Sequence, residues 1–120
     1  MQGAQFTATS TVAENQTLSF PNYLHSISNN NDNQDIVSMG TNAALIACHV
    51  IENSYEVMSI HLLTLIQAVD YLKIEDRMSS FTKEIYHQLR YLVPAFEQDR
   101  VISPEIGKIK HYLLQNHLNI

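Results

Sequence analysis

The stretch NAALIACHVIENSYEVMSIHLLTLIQAVDYL, residues 42–72, decides the fold. No glycine or proline interrupts it, and its apolar residues recur at helical spacings, which predicts one unbroken helix. At about 1.5 Å per residue this helix is roughly 46 Å long. A compact chain of 120 residues has a radius of gyration of only about 14 Å. In its second half the helix is apolar nearly all round, so this chain cannot cover it. We therefore expect a central helix of a multi-helix bundle, with other helices supplied by further sequence or other subunits.

A shorter helix precedes the long one. The pattern predicts it from Gln5 to Phe20, and Pro21 ends it because the residue before a proline avoids helical backbone. No capping residue or loop leads into this helix, so the chain reads as though cut from a larger protein. Its larger apolar residues alternate with small ones and predict a face suited to close helix packing: Phe6, Val12, Ala13 and Leu18.

The remaining segments complete one all-α unit. A polar loop separates the two helices, because its Asn, Asp and Ser side chains compete for backbone hydrogen bonds. Hydroxyls between Ser38 and Thr41 are available to cap the long helix. Further on, one helix is predicted near Ser80 to Tyr91 and another from Ser103, with Pro104 in the first helical position. We predict a single unit over residues 1–120. Its elements in order are a helix over 1–20, a loop over 21–38, the long helix over 41–73 and short capping helices within 78–120.

Charge and cysteine content exclude several classes of protein. The net charge is −5, and the seven lysines and arginines are scattered, so no basic cluster can neutralise a run of phosphates. The single cysteine, Cys48, permits no intrachain disulfide, which favours a reducing, cytoplasmic compartment. No apolar run is long enough to span a membrane. We therefore expect neither nucleic acid nor a membrane as a partner.

The histidines do not predict a metal site. Six are present, and none stands four residues from another, as a zinc-binding pair on a helix would. Cys48 and His49 are adjacent, and neighbouring helical residues project about 100° apart, so they do not face each other as thiol and base. Asp70 and Tyr71 read as the polar end of the long helix. A metal-binding helical protein is the least favoured interpretation, and no metal ligand is predicted.

The polar loop ends in Asn33-Gln34-Asp35, close before the long helix. An amide pair ahead of a helix can orient a carboxylate or an ammonium group without adding charge. The same residues can also serve only as a capping loop, and spacing alone favours that simpler interpretation.

A family resemblance shifts this interpretation. Residues 33–40, NQDIVSMG, resemble a segment of the histidine, phenylalanine and tyrosine ammonia-lyases and the related aminomutases. Other segments resemble the same family in the same order, so that the resemblance covers essentially all 120 residues. These are QFTA at 5–8 and VAEN at 12–15 before the loop, QAVD at 67–70 at the end of the long helix, and VP at 93–94, DR at 99–100 and SPEI at 103–106 in the tail. The chain therefore resembles the C-terminal portion of this family.

The resemblance implies a reaction and a prosthetic group. Family members eliminate ammonia from an aromatic amino acid, or move the amine to the β-carbon, with an electrophilic methylidene-imidazolone formed from an Ala-Ser-Gly tripeptide. No Ser-Gly occurs in the 120 residues, so the chain cannot form this group, and we expect no complete catalytic site and no activity from the chain alone. Partners are expected to be the N-terminal remainder of the lyase or other subunits, in a homo-oligomer that we expect to be a homotetramer.

The resemblance also implies site residues. Gln34 falls where family members place a Glu or Gln beside the prosthetic group and the substrate amine, with Asn33 and Asp35 flanking it. Histidine lyases typically carry Gln-Glu-Asp there, whereas phenylalanine and tyrosine enzymes carry Asn-Gln-Asp, as this sequence does. An uncharged amide leaves the local field less negative than a carboxylate would. Gln2 and Gln5 are further candidates to approach the same cavity.

Three functions follow as hypotheses. The first is the C-terminal part of an aromatic amino-acid ammonia-lyase, for tyrosine or phenylalanine rather than histidine, or of an aminomutase. The second is a truncated, non-catalytic helical oligomer or a partner of an intact homologue. The metal-binding helical protein is the third.

Overall fold

The computed structural model describes residues 1–22 and 39–115. Within these ranges the chain forms helices and no strand, which confirms the predicted all-α fold. A 3₁₀ turn, Glu75–Arg77, joins the long helix to the short helices at its end. The α-helices are α1, Gln2–Leu18; α2, Gly40–Leu72; α3, Ser80–Leu92; and α4, Ser103–Gln115. No helix in the described ranges is both long and apolar enough to cross a membrane.

Helix α2 has 33 residues and is therefore about 50 Å long. It begins one or two residues before the predicted start at 41 or 42, and the predicted hydroxyl cap is wrong, because the N-cap residue is Met39 and makes no side-chain cap hydrogen bond. At the other end Lys73 adopts the left-handed conformation, with φ 52°, and donates its N–H to the Asp70 carbonyl. The N–H of Ile74 reaches the Val69 carbonyl, so the closing turn satisfies two of the last carbonyls.

Helix α1 runs antiparallel to α2. Its C-terminal Asn15 contacts Val50 and Ser54, while residues near its start lie beside the middle of α2. Phe6 and Val12 are 67% and 43% exposed, so the prediction that they form the packing face is wrong within the described residues. The buried and half-buried residues of α1 are instead mostly small or polar, and Leu18 is the one residue of the predicted face among them.

The core lies between α2, α3 and α4. Leu63 is fully buried between Leu89 and Val93 of the α3 end and Ile109 of α4, and Ile66, Tyr86 and Leu113 complete the buried cluster. On α2 these residues recur every three positions, and on α4 Ile109 and Leu113 are four apart, as amphipathic helices require. The short helices therefore cover one side of the C-terminal half of α2.

The other side of α2 carries exposed apolar residues. Ile51, Met58, Leu65 and Leu72 are each 47–58% exposed. The Cα radius of gyration is 19.9 Å, against about 14 Å for a compact chain of this length. The expectation that this chain leaves the long helix largely uncovered is therefore confirmed for the described residues.

Candidate functional site

The predicted site residues Asn33, Gln34 and Asp35 lie outside the described residues. The structure does describe the two helices that this segment joins, and how they are held together. Asn15 of α1 is the polar centre of that contact. Its Nδ2 donates to the Val50 carbonyl and to Ser54 Oγ, both at 3.4 Å, and its Oδ1 accepts from Asn53 Nδ2 at 3.0 Å.

Gln2 and Gln5 line an open cleft between α1 and α2. The cleft measures about 480 Å³, and Ala8, His61 and Thr64 contribute to the same wall. Its walls combine amide, imidazole and hydroxyl groups with apolar residues, so it can accept a polar group by hydrogen bonding. The approach of Gln2 and Gln5 to Gln34 remains a prediction. A second cleft, about 590 Å³, lies between the start of α1 and the start of α4.

A half-buried ionic network joins α2 to α3. Arg90 Nη2 pairs with Asp70 Oδ2, and the Tyr86 hydroxyl donates to Asp70 Oδ1. The side chains of Arg90 and Asp70 are 12% and 26% exposed, so solvent screens the pair only in part. The interpretation of Asp70 as merely the polar end of the long helix is therefore wrong.

The same arginine holds the backbone that follows α3. Arg90 Nη1 donates to the Val93 carbonyl at 3.1 Å, and Nη2 donates to Gln67 Oε1 at 3.2 Å. Gln67 Nε2 in turn donates to the Phe96 carbonyl at 2.7 Å. One set of side chains thus ties two residues of α2 to two turns of α3 and to the connection that leads to α4. A signal in the sequence was available: Gln67 and Asp70 share one face of α2, while Tyr86 and Arg90 share one face of α3.

A second arginine fixes the start of α4. Arg100 Nη1 pairs with Glu105 Oε1 at 2.6 Å, and the guanidinium lies 5.1 Å from the centre of the Phe96 ring. Glu105 is 7% exposed, and its Oε2 is buried with no hydrogen-bond partner among residues 1–22 and 39–115. The carboxylate also lies in the first turn of α4, where the helix dipole favours negative charge.

The pKa of Tyr86 is raised above 10.0, first because its hydroxyl donates to the Asp70 carboxylate, then because the ring is buried and the Asp70 charge opposes phenolate. Hydrogen bonding and charge from Arg90 act in the opposite direction. Tyr86 is therefore a neutral hydrogen-bond donor at physiological pH, and its bond to Asp70 helps to hold α3 on α2.

Alkaline pH should weaken the fold through Tyr86. The unfolded chain loses this proton near pH 10, while the folded chain retains it to higher pH. The stabilising contribution is complete below the unfolded pKa and is lost as pH rises through the folded pKa. Urea unfolding from about pH 8 to about pH 11 should show a steeper loss of stability for the wild-type chain than for Tyr86→Phe. Tyr91→Phe, at a residue 90% exposed, should keep the wild-type slope. Equal slopes for wild type and Tyr86→Phe would contradict the assignment.

The histidine and cysteine side chains do not assemble into a metal site in the part of the chain that the structure describes, where no three metal-binding side chains gather. Cys48 and His49 are both exposed near the start of α2.

The chain belongs to the aromatic amino acid lyase family, whose sequence model matches residues 1–91. Over 113 residues it is 42% identical to histidine ammonia-lyases of Bacillus cereus and Bacillus anthracis, covering 94% of this chain and 22% of those proteins. The chain thus spans about a fifth of the length of these relatives and aligns with their C-terminal part.

Solved structures of the family match the fold closely. The tyrosine aminomutase of Streptomyces globisporus superposes with a TM-score of 0.88 at 38% identity, over 93% of this chain and 21% of that one. A Pantoea agglomerans phenylalanine aminomutase gives 0.88 at 36% identity, over 95% and 22% of the two chains. The histidine ammonia-lyase of Trypanosoma cruzi gives 0.85 at 32% identity, over 92% and 22%.

Proposed function

We propose that this chain is the C-terminal part of an aromatic amino-acid ammonia-lyase, in which it supplies Gln34 to a composite active site and α2 to an oligomer core. The observation that carries the proposal is the combination of family membership with coverage: nearly the whole chain aligns, but it corresponds to only 22% of a lyase. Activity then requires the other four fifths, in the same polypeptide or as a separate chain.

The prosthetic group would come from that remainder. A methylidene-imidazolone supplies an electrophile that activates the amino acid for loss of its amine, and the 120 residues contain no Ala-Ser-Gly from which it could form. No described residue of this chain is assigned to the group. The contribution proposed for this chain is an amide, Gln34, flanked by Asn33 and Asp35, that binds beside the substrate amine.

The exposed side of α2 supports the oligomer part of the proposal. Ile51, Met58, Leu65 and Leu72 stand seven residues apart, each about half exposed. A seven-residue apolar repeat suits packing against another helix of the same period, and the stripe carries no charge that would oppose a second copy. We assign this stripe to helix packing between copies of the subunit in a homotetramer. The single cysteine supports a cytoplasmic location.

The substrate is proposed to be tyrosine or phenylalanine rather than histidine, on the strength of the Asn-Gln-Asp sequence at 33–35. Aminomutase chemistry is the alternative, because the structural neighbours include a tyrosine and a phenylalanine aminomutase. Product analysis separates the two: a lyase releases ammonia and an arylacrylate, whereas a mutase forms a β-amino acid.

Complementation tests the enzyme proposal. The chain is mixed or coexpressed with an N-terminal lyase segment that carries Ala-Ser-Gly and ends where this chain begins to align. Light scattering should reveal a joint complex, and that complex should release arylacrylate, followed by its ultraviolet absorbance. Each part alone should be inactive. A correctly assembled complex with no turnover of tyrosine, phenylalanine or histidine would refute the proposal.

A non-catalytic helical oligomer is the second candidate, and the uncovered stripe on α2 favours it. Light scattering of the chain alone separates the possibilities. Stable oligomers that bind no N-terminal segment would support the second candidate, whereas a stable monomer would contradict the assignment of the stripe to subunit packing.

A further inference from the structure

The contact between α1 and α2 has the residue spacing of a short antiparallel coiled coil. Along α1 the buried and half-buried residues follow a strict alternation of four- and three-residue spacings, which is the heptad seam of a coiled coil. These seam residues are Ala4, Ala8, Thr11, Asn15 and Leu18. The facing side of α2 includes Val50, Asn53 and Val57, at spacings of three and four.

The apolar part of this seam specifies its register poorly. Ala4, Ala8 and Thr11 are small, so their side chains fit the holes of α2 almost equally well after a shift of one turn. Register in such seams is best fixed by a buried polar residue that finds its partners in one alignment only. Asn15 is the half-buried polar residue that does this here, because both its Oδ1 and its Nδ2 are used on α2.

The Asn15 contacts hold only in the observed alignment. Its Oδ1 accepts from Asn53 at 3.0 Å, and its Nδ2 reaches the Val50 carbonyl and Ser54 Oγ. Ser54 Oγ itself donates to the Val50 carbonyl at 2.6 Å, so Ser54 is held with its lone pairs towards Asn15. A one-turn shift would bring Asn15 opposite Val57 or opposite the turn of α2 that precedes Val50, and would leave the half-buried amide without these partners.

We propose that Asn15, acting with Asn53, is a positioning residue that sets the register of α1 on α2 and thereby the geometry of the active site. This step rests on the proposed function. Helix α1 ends at Leu18 and α2 begins at Gly40. Residues 19–39, which include Gln34, connect these two helices. A shift of one helical turn moves the end of α1 by about 5.4 Å relative to the start of α2. Catalytic groups tolerate far less, since a displacement of about 1 Å can reduce the rate by roughly 10²-fold.

The register can be measured without any activity. The single native cysteine, Cys48, is exposed on α2 and accepts a spin label, and Thr9→Cys adds a second exposed site on α1. Labelled chain is diluted with unlabelled chain so that distances between copies do not contribute, and pulsed electron paramagnetic resonance should then give one distance for the parent protein. Asn15→Leu should broaden the distribution of distances between the two labels, or add a second distance that differs by up to about 5.4 Å. Gln16→Leu makes the same change on the exposed face and should leave the distance unchanged. A single unshifted distance in Asn15→Leu would overturn the register role.

The catalytic consequence is tested in the complemented complex. Asn15→Leu should lower kcat by about 10²-fold with a smaller change in KM, and Gln16→Leu should match the parent. Asn53→Ala removes the donor to Asn15 Oδ1 and is a milder second variant. It should change the distance between the spin labels and kcat in the same direction as Asn15→Leu. Circular dichroism checks that the helix content is retained. A shifted register with unchanged kcat would overturn the positioning role. An inactive parent complex would count against the proposed function, while the distance measurement would still decide the register.

Discussion

Arg90→Met is expected to reduce the free energy of unfolding by about 3 kcal/mol, measured by urea denaturation of the 120-residue chain. The substitution keeps the apolar stem and removes the guanidinium, so the Asp70 carboxylate loses its counter-ion while its side chain is only 26% exposed. The Val93 carbonyl and Gln67 Oε1 lose their donors in the same change. Breaking a buried pair from one side costs about 3–5 kcal/mol, and the partial exposure of Asp70 places the effect at the lower end.

A matched arginine and a double variant isolate the ion pair. Arg77 is exposed in the 3₁₀ turn, and Arg77→Met should change stability by less than about 0.5 kcal/mol. Combining Asp70→Asn with Arg90→Met removes both charges and should recover part of the loss, because no carboxylate is left unpaired. If Arg90→Met and Arg77→Met had equal effects, the network would not hold α3 on α2.

The long helix was predictable because its evidence is local. No glycine or proline lies between Gly40 and Lys73, and the apolar pattern continues through the whole stretch, so only the first turn was missed. The starts of the short helices were also predicted, near Ser80 and at Ser103, and the Ser103-Pro104 pair marks the second of them.

Side-chain partners were predicted less well because they depend on packing between helices. In α1 the large Phe6 and Val12 were assigned to the contact face, but close approach of two helices selects the small Ala4 and Ala8. Asp70 was assigned to a helix end because its partners, Tyr86 and Arg90, lie 16 and 20 residues later in the chain. Periodicity within one segment contains no information about such pairs.

The candidate site came from a different kind of evidence. Gln34 was identified from the resemblance of residues 33–40 to ammonia-lyases, and the family membership of the chain is now established independently. The role of the residue itself remains a prediction. Asn15, in contrast, was present in the VAEN segment of the resemblance, but only the contacts between α1 and α2 reveal what its side chain does.

Gln34→Ala should reduce kcat of the complemented lyase by about 10²-fold, because a lost amide leaves the substrate amine without one of its orienting hydrogen bonds. Gln34→Glu retains the size but adds a negative charge, as in histidine lyases, and should raise the ratio of kcat/KM for histidine to that for tyrosine. Gln98→Ala, at an exposed glutamine after α3, is the control and should match the parent in both measurements. Light scattering of each complex confirms that assembly is unchanged.

If Gln34→Ala retained full kcat in an intact complex, Gln34 would have no part in orienting the substrate, and the Asn-Gln-Asp segment would revert to a capping loop. An unchanged substrate ratio in Gln34→Glu, with activity retained, would remove the basis for proposing tyrosine or phenylalanine over histidine.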